Sequence, residues 1–271
     1  MKTYDKSSFS NSSASHSIND GLTQFAGQTD PGLIRKKNED NLGLFPEQGL
    51  FFVADGVGGM PAGEIASMLV VEVLPPLLNQ RLDPALTEQP AVRESLSQSE
   101  IITRLKQAVI DLSNRISAES QKNPEYAGMA STLVFVLFTK KHLFIGHLGD
   151  SRAYLLKDES LHQMTNDHTL VRHLLQAKAI TQEEAVEHPG KDQLVQYIGM
   201  VMAPNPDVIC VPRVSGEKVL LCSDGLTDML SKYEITQFLL KNSSPESTCK
   251  ALIKAANLAG GKDNVTVVIV E

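Results

Sequence analysis

Two apolar runs of the 271-residue chain end in an aspartate followed by a glycine. Leu50-Phe51-Phe52-Val53-Ala54 leads into Asp55-Gly56-Val57-Gly58-Gly59, and Val219-Leu220-Leu221-Cys222-Ser223 leads into Asp224-Gly225. Each run reads as a buried strand. A strand that ends this way delivers a carboxylate, and the glycine leaves the backbone carbonyl beside it open. That suits a hard cation that takes oxygen ligands. Asp-Gly is equally a hairpin-turn signal, so neither pair decides the matter alone. Asp20-Gly21, in a polar stretch, reads as a plain turn.

More acids share this context. Glu39 and Asp40 lie in Arg35-Lys36-Lys37-Asn38-Glu39-Asp40-Asn41, Asp150 in Gly149-Asp150-Ser151-Arg152, and Asp263 in Gly260-Gly261-Lys262-Asp263-Asn264. Carboxylates gathered in a fold repel one another unless cations neutralise them. An all-oxygen set favours Mg²⁺ or Mn²⁺ over zinc. Two such ions about 3.5–4 Å apart hold a bridging water and lower its pKa. Arg35 is close in sequence to Glu39 and Asp40, and a guanidinium clamps a phosphate through two parallel hydrogen bonds. Taken singly, each acid is also explained as a turn or cap residue.

The elements that must position these acids follow from periodicity. Gln24 to Gln28 reads as a first strand. Gly63 to Leu78 has helical spacing, with Pro75 and Pro76 expected to bend or end it. Residues 81–98 read as a polar surface loop. Ile101 to Glu119 returns to a helix with Leu105, Ala108, Leu112 and Ile116 on one face. Thr132 to Phe138 and Leu143 to Leu148 read as a hairpin, and Ala153 to Leu156 continues it. Thr181 and Ser231 open capping boxes. Ser244-Pro245 starts a last helix that Gly260-Gly261 stops, and Val265 to Val270 is a final strand. This order lacks regular βα alternation, so an α+β layered domain with antiparallel sheets is expected. Residues 1–20 read as a disordered Ser-rich tail and 21–271 as the domain.

Bulk properties exclude some functions. The net charge is −7 with scattered basic residues, which argues against nucleic acid as a partner. No apolar run reaches the ~20 residues that span a bilayer, so no membrane association is expected. The N-terminus lacks the apolar stretch of a signal peptide. The three cysteines, Cys210, Cys222 and Cys249, form no Cys-x-x-Cys pair, and a reducing cytoplasm is the expected location.

The stretches around Arg35 to Asn41, Val53 to Gly59, Gly63 to Ser67, Gly128 to Thr132, Gly146 to Arg152, Cys222 to Asp228 and Gly261 to Thr266, in this order, resemble the metal-dependent protein phosphatase family, PP2C or PPM, in its bacterial branch. The resemblance spans about residue 22 to the C-terminus. It implies an α-β-β-α sandwich, two central antiparallel sheets flanked by helices, with Mn²⁺ or Mg²⁺ at one edge. It implies that Asp55 bridges two core ions, that Asp224 and Asp263 complete the first, and that the Gly56 carbonyl binds the second. Glu39 and Asp40 reach the ions directly or through water, and Asp150 with Asp224 holds a third. Arg35 matches the phosphate-binding arginine, and residues 166–199 match the flap. Val57 stands where animal members carry a histidine proposed as general acid. The flap end, Gln196-Tyr197-Ile198-Gly199, lacks the arginine expected there.

The implied activity is hydrolysis of phosphoserine and phosphothreonine in proteins by a monomeric enzyme, opposing a Ser/Thr kinase of eukaryotic type. A small-ester phosphatase and a phosphoprotein-binding pseudophosphatase are the alternatives, and the latter requires a broken acid set. His168, at the start of the flap, is the candidate substrate contact and proton donor. A helix-capping surface histidine is the plainer expectation for it. His147 on a strand is expected to pack, and Cys222 to be an inert thiol.

Overall fold

The computed structural model describes residues 14–17, 24–57, 62–82, 96–242 and 244–271. Two antiparallel sheets lie face to face. The first runs in the order β1 (Ala14–Ser17), β2 (Gln24–Asp30), β11 (Val265–Val270), β10 (Lys218–Cys222), β7 (Arg152–Lys157), β8 (Ser160–Gln163). The second runs β3 (Asp40–Phe45), β4 (Leu50–Asp55), β5 (Leu133–Phe138), β6 (His142–Leu148), β9 (Asp207–Pro212).

The alternation of side chains along the strands explains the layers. In β4, Phe51 and Val53 point between the sheets, where they meet Val134, Val136, Leu221 and Val268. Leu50, Phe52 and Ala54 point the other way, against α1 (Gly63–Leu82) and α2 (Gln98–Lys122). In β10 and β11, Leu220, Cys222, Val267 and Ile269 face away from the second sheet and pack with α6 (Lys232–Lys241) and α7 (Pro245–Leu258). Strands buried on both faces need continuous apolar sequence, and these have it. The result is the α-β-β-α sandwich.

Helix α1 does not end at Pro75 and Pro76 but runs through both. Each proline costs about 3 kcal/mol inside a helix. Leu74, Leu77, Leu78 and Leu82 are all buried there, and burying such side chains contributes about 1.5–3 kcal/mol apiece. Packing outweighs the local preference. Helix α2 begins at Gln98, with Ser97 and Glu100 forming a capping box. The expected loop at 81–98 otherwise lies largely outside the described residues, as does the turn at Asp20-Gly21.

The expected tail is partly structured. Ala14–Ser17 pairs with β2 in register Ala14↔Gly27 to Ser17↔Gln24. An edge strand is held by backbone hydrogen bonds, which composition does not register. The rest of 1–20 lies outside the described residues. The flap segment holds two short helices, α3 (Leu170–Gln176) and α4 (Gln182–Val186). A bridge from Leu194 to Thr169 closes the segment on itself, and one from Ile198 to Ser131 joins it to the chain just before β5.

Candidate active site

Strands β3 and β4 pair so that Asp40 and Asp55 are directly opposite at the end of the ladder. Asp40 is buried. Its Oδ2 accepts hydrogen bonds from Ser223 Oγ at 2.8 Å and Thr266 Oγ1 at 2.7 Å. Its Oδ1 is buried with no hydrogen-bond partner among the described residues. A buried carboxylate oxygen left this way is costly unless a cation or proton meets it.

Asp55 is fixed through its backbone. Its N–H donates to Thr132 Oγ1 at 3.1 Å, and the Thr132 N–H donates to the Asp55 carbonyl at 2.7 Å. Asp224 opens a short helix, α5 (Asp224–Thr227), at the end of β10. Burial, and then neighbouring carboxylates, push Asp55 and Asp224 well above the ordinary carboxylate range; for Asp224 the neighbours are Asp150, Asp228, Asp263 and Asp40. For Asp55 the neighbouring charges are Asp40, Asp224 and Asp150. Burial also raises Asp40, against the opposing hydrogen bonds of Thr266 and Ser223. Asp150 is raised to about 6, by burial first and Asp167 second.

These acids surround one cavity of about 580 Å³, lined by Arg35, Asp55, Gly56, Asp150, Asp224 and Asp263, together with Thr132, Val57, Asp192, Tyr197 and Asp228. Glu39 and Asp40 stand back from its wall. Asp40 lies beside Asp55 on the paired strand, and the Glu39 carboxyl lies towards the start of α1, where a Cβ on Gly63 would come within 3.4 Å of it. Burial and Glu64 raise the Glu39 carboxyl. Gly56 has no room for a side chain: a Cβ there would stand 2.4 Å from the Gly63 carbonyl oxygen and 2.7 Å from that of Glu39.

Arg35 Nη2 donates to Asp263 Oδ2 at 2.7 Å, with both side chains about two-fifths exposed. The loop that carries Arg35 is tied down by Asn264. Its Nδ2 donates to the carbonyls of Pro31 and Lys37, and its Oδ1 accepts the Glu39 N–H. Asn264, Ser223 and Thr266 hold the acids in place, roles not read from the sequence. Asp228 was legible in outline, four residues after Asp224 and so one helical turn on. Asp192 and Tyr197 join the cavity from the flap, where no local pattern marks them.

The structure does not place His168 where the sequence reading did. It is absent from the cavity lining, and Thr169, not His168, caps α3. The His168 Nδ1 accepts the Gly149 N–H at 3.2 Å and its Nε2 faces Asp207 at 3.3 Å. Its ring stacks on His147 at 4.4 Å and 20°. His147 bonds the Asn166 carbonyl and is lowered to about 4, chiefly by burial and then by His168. One ligand atom each from His147, His168 and Asp207 lies within 4.8 Å of the others. Near-parallel rings do not aim their lone pairs at one point, so this trio is a clasp between β6, β9 and the flap rather than a metal site. His147 thus packs as expected, with a hydrogen bond in addition. Cys222 is fully buried and raised to about 12 by that burial, as an inert thiol should be.

The donor set fits divalent cations: acidic oxygens, one of them buried and orphaned, beside a backbone glycine that no side chain can replace. Comparison with known proteins agrees. A family model described as protein phosphatase 2C matches residues 36–257. The chain is 36% identical over 247 residues to a serine/threonine phosphatase, stp, of Listeria welshimeri, covering 90% of this chain and 94% of that one. The structure resembles the S. agalactiae serine/threonine phosphatase with a TM-score of 0.80 at 32% identity, covering 92% and 98% of the two chains. It resembles the catalytic domain of the serine/threonine protein phosphatase PstP in complex with 2 manganese ions with a TM-score of 0.75 at 32% identity, again covering 92% and 98%. The chain belongs to the protein phosphatase 2C family.

Proposed function

We propose that this metal-dependent serine/threonine phosphatase works through the acid-lined cavity, with the acids as cation ligands and Arg35 as the phosphate clamp. The observation that carries the assignment is the cluster of buried Asp40 with half-buried Asp55, Asp150 and Asp224, each raised by burial and by neighbouring carboxylates, with Asp40 Oδ1 unpaired. Asp55, Asp224 and Asp263 would hold one ion. The Gly56 carbonyl, Asp55 and, directly or through water, Asp40 and Glu39 would hold a second. Asp150 and Asp224 would hold a third. The acids ring the cavity rather than meet at one point, which favours more than one ion. When bound, such ions polarise phosphoryl oxygens and acidify a water near neutral pH.

The chain's own residues do the rest. Ser223 and Thr266 keep Asp40 Oδ2 occupied, which leaves its buried Oδ1 for a cation or a cation-bound water. Thr132 holds the Asp55 backbone in line with the cavity. Arg35 must release Asp263 to take a phosphate. Both partners are partly exposed, and a pair of this kind contributes only about 0–1 kcal/mol, so the exchange is easy. The substrates are phosphoproteins, and a Ser/Thr kinase that this enzyme opposes is the expected partner. The enzyme is expected to act as a monomer in the cytoplasm. None of the helices among the described residues is long and apolar enough to cross a membrane. A pseudophosphatase is not favoured, because every acid it would have to lack is present.

The test is hydrolysis of phosphoserine and phosphothreonine peptides beside p-nitrophenyl phosphate. Turnover of the peptides should require Mn²⁺ or Mg²⁺ and disappear in EDTA. Undiminished turnover after metal stripping overturns the reading. Hydrolysis of small esters with none of the peptides favours the small-ester alternative.

A further inference from the structure

The reaction leaves an alkoxide on the serine or threonine side chain, and that oxygen needs a proton. Val57 has none to give, and His168 is held in the clasp outside the cavity. Among the described residues of the cavity wall, Thr132 Oγ1 is occupied by the Asp55 N–H and by Ser151 Oγ at 2.6 Å. A guanidinium is too weak an acid for the task. Asp228, beside Asp224, would be held ionised by bound cations.

Tyr197 is different. The isolated bridges join Gly56 to Ser131 and Ser131 to Ile198, all antiparallel. One step along this register puts Asp55, Thr132 and Tyr197 side by side across three backbone segments. Neighbours in register share a face. Ser131 and Ile198 are turned inward and fully buried, while Asp55, Thr132 and Tyr197 all line the cavity. At about 4.8 Å per strand, Tyr197 starts roughly 10 Å from Asp55 at the backbone, on the same face. A bound phosphoresidue would lie between them.

The segment is firmly held. Ser131 and Ile198 exchange two backbone hydrogen bonds of 3.2 and 2.7 Å. The Gly199 N–H donates to Ser113 Oγ at 3.0 Å. Gly199 has φ +94° and lies so close to the Met129 carbonyl that a Cβ would stand 2.7 Å from it. No hydrogen bond engages the Tyr197 hydroxyl among the described residues.

We propose that the Tyr197 hydroxyl, placed in register with Asp55 and Thr132 on the cavity wall, donates the proton to the leaving-group oxygen. This rests on the phosphatase reading above. In the step, water oxygen bonds to phosphorus and the bond from phosphorus to the side-chain oxygen breaks, its electron pair remaining on that oxygen. The Tyr197 Oη proton moves to it, giving the free serine or threonine. A proton from the attacking water returns through solvent to the tyrosinate, and inorganic phosphate is the other product.

Tyr197→Phe removes the proton and keeps the ring. With saturating Mn²⁺, kcat for a phosphoserine peptide should fall by about 10²-fold or more, the usual scale of general acid catalysis. Its KM should barely move. p-Nitrophenyl phosphate, whose leaving group needs little protonation, should change by less than about threefold. Across a series of aryl phosphates the variant should depend more steeply on leaving-group acidity than the parent. An equal effect on both substrates, a change in KM alone, or no effect overturns the proposal. A parent enzyme that turns over neither substrate with Mn²⁺ would instead bring down the phosphatase reading on which it rests.

Discussion

Removing one charge from the acidic cluster should stabilise the metal-free protein, and by an amount that depends on pH. Burial first and Asp167 second raise the half-buried Asp150 carboxyl from 3.8 to about 6. That gap corresponds to about 3 kcal/mol at 1.36 kcal/mol per pH unit. Below pH 3.8 the carboxyl is protonated in both folded and unfolded chains, and it costs nothing. As pH rises, the unfolded chain gives up its proton first, so the folded state loses stability until about pH 6, where the loss is complete. Asp150→Asn abolishes this titration. In EDTA the variant should therefore gain about 2.5 kcal/mol on the parent between pH 4, where about 0.5 kcal/mol is already lost, and pH 7.5. For a chain of this size that is roughly 5–10 °C in Tm. Mn²⁺ should narrow the difference at pH 7.5, because it binds the folded parent and stabilises it. Denaturation of parent and variant at both pH values, with and without EDTA, reads all of this. A variant equally or less stable than the parent at pH 7.5, by the same margin as at pH 4, would refute the argument.

Arg35→Ala should raise KM for phosphopeptides with a smaller fall in kcat, because a clamp holds ground and transition states alike; steady-state kinetics check it, and an unchanged kcat/KM removes Arg35 from the site. Gly56→Ala should cut kcat by more than about tenfold, since its Cβ meets backbone oxygens of Gly63 and Glu39 that cannot yield without moving the cavity edge; a variant with parental kcat would show that this edge tolerates a side chain. In the folded protein Cys222 and Cys249 should resist a thiol reagent that labels Cys210, because burial raises both to about 12 while Cys210 is half-buried; mass spectrometry of the labelled chain decides it.

The acids that gather around the cavity were legible as candidates because they end or begin strongly apolar strands, and both signals are local. The same runs pointed to an α+β layered domain with antiparallel sheets, and the two-sheet sandwich was implied by the family resemblance. Strand β3 escaped because Gly43 weakens strand propensity. The structure uses that glycine to admit the Phe52 ring, which comes within about 2.1 Å of where a Cβ would be. The same ring stacks on Phe45. Strand β1 escaped because nothing in its polar side chains announces backbone pairing with β2. The place of His168 depends on Gly149, His147 and Asp207, far away along the chain, and no spacing around it encodes that. Tyr197 reaches the cavity by a register across Ser131 that likewise has no local trace.

Direct measurement of Mn²⁺ binding tests the central claim most plainly. Titration calorimetry on the metal-stripped enzyme should show at least two bound ions. Asp55→Asn, which loses the carboxylate proposed to bridge them, should lose that binding together with about 10³-fold or more in activity, while remaining folded. Parental Mn²⁺ stoichiometry and affinity in the Asp55→Asn protein would contradict the account.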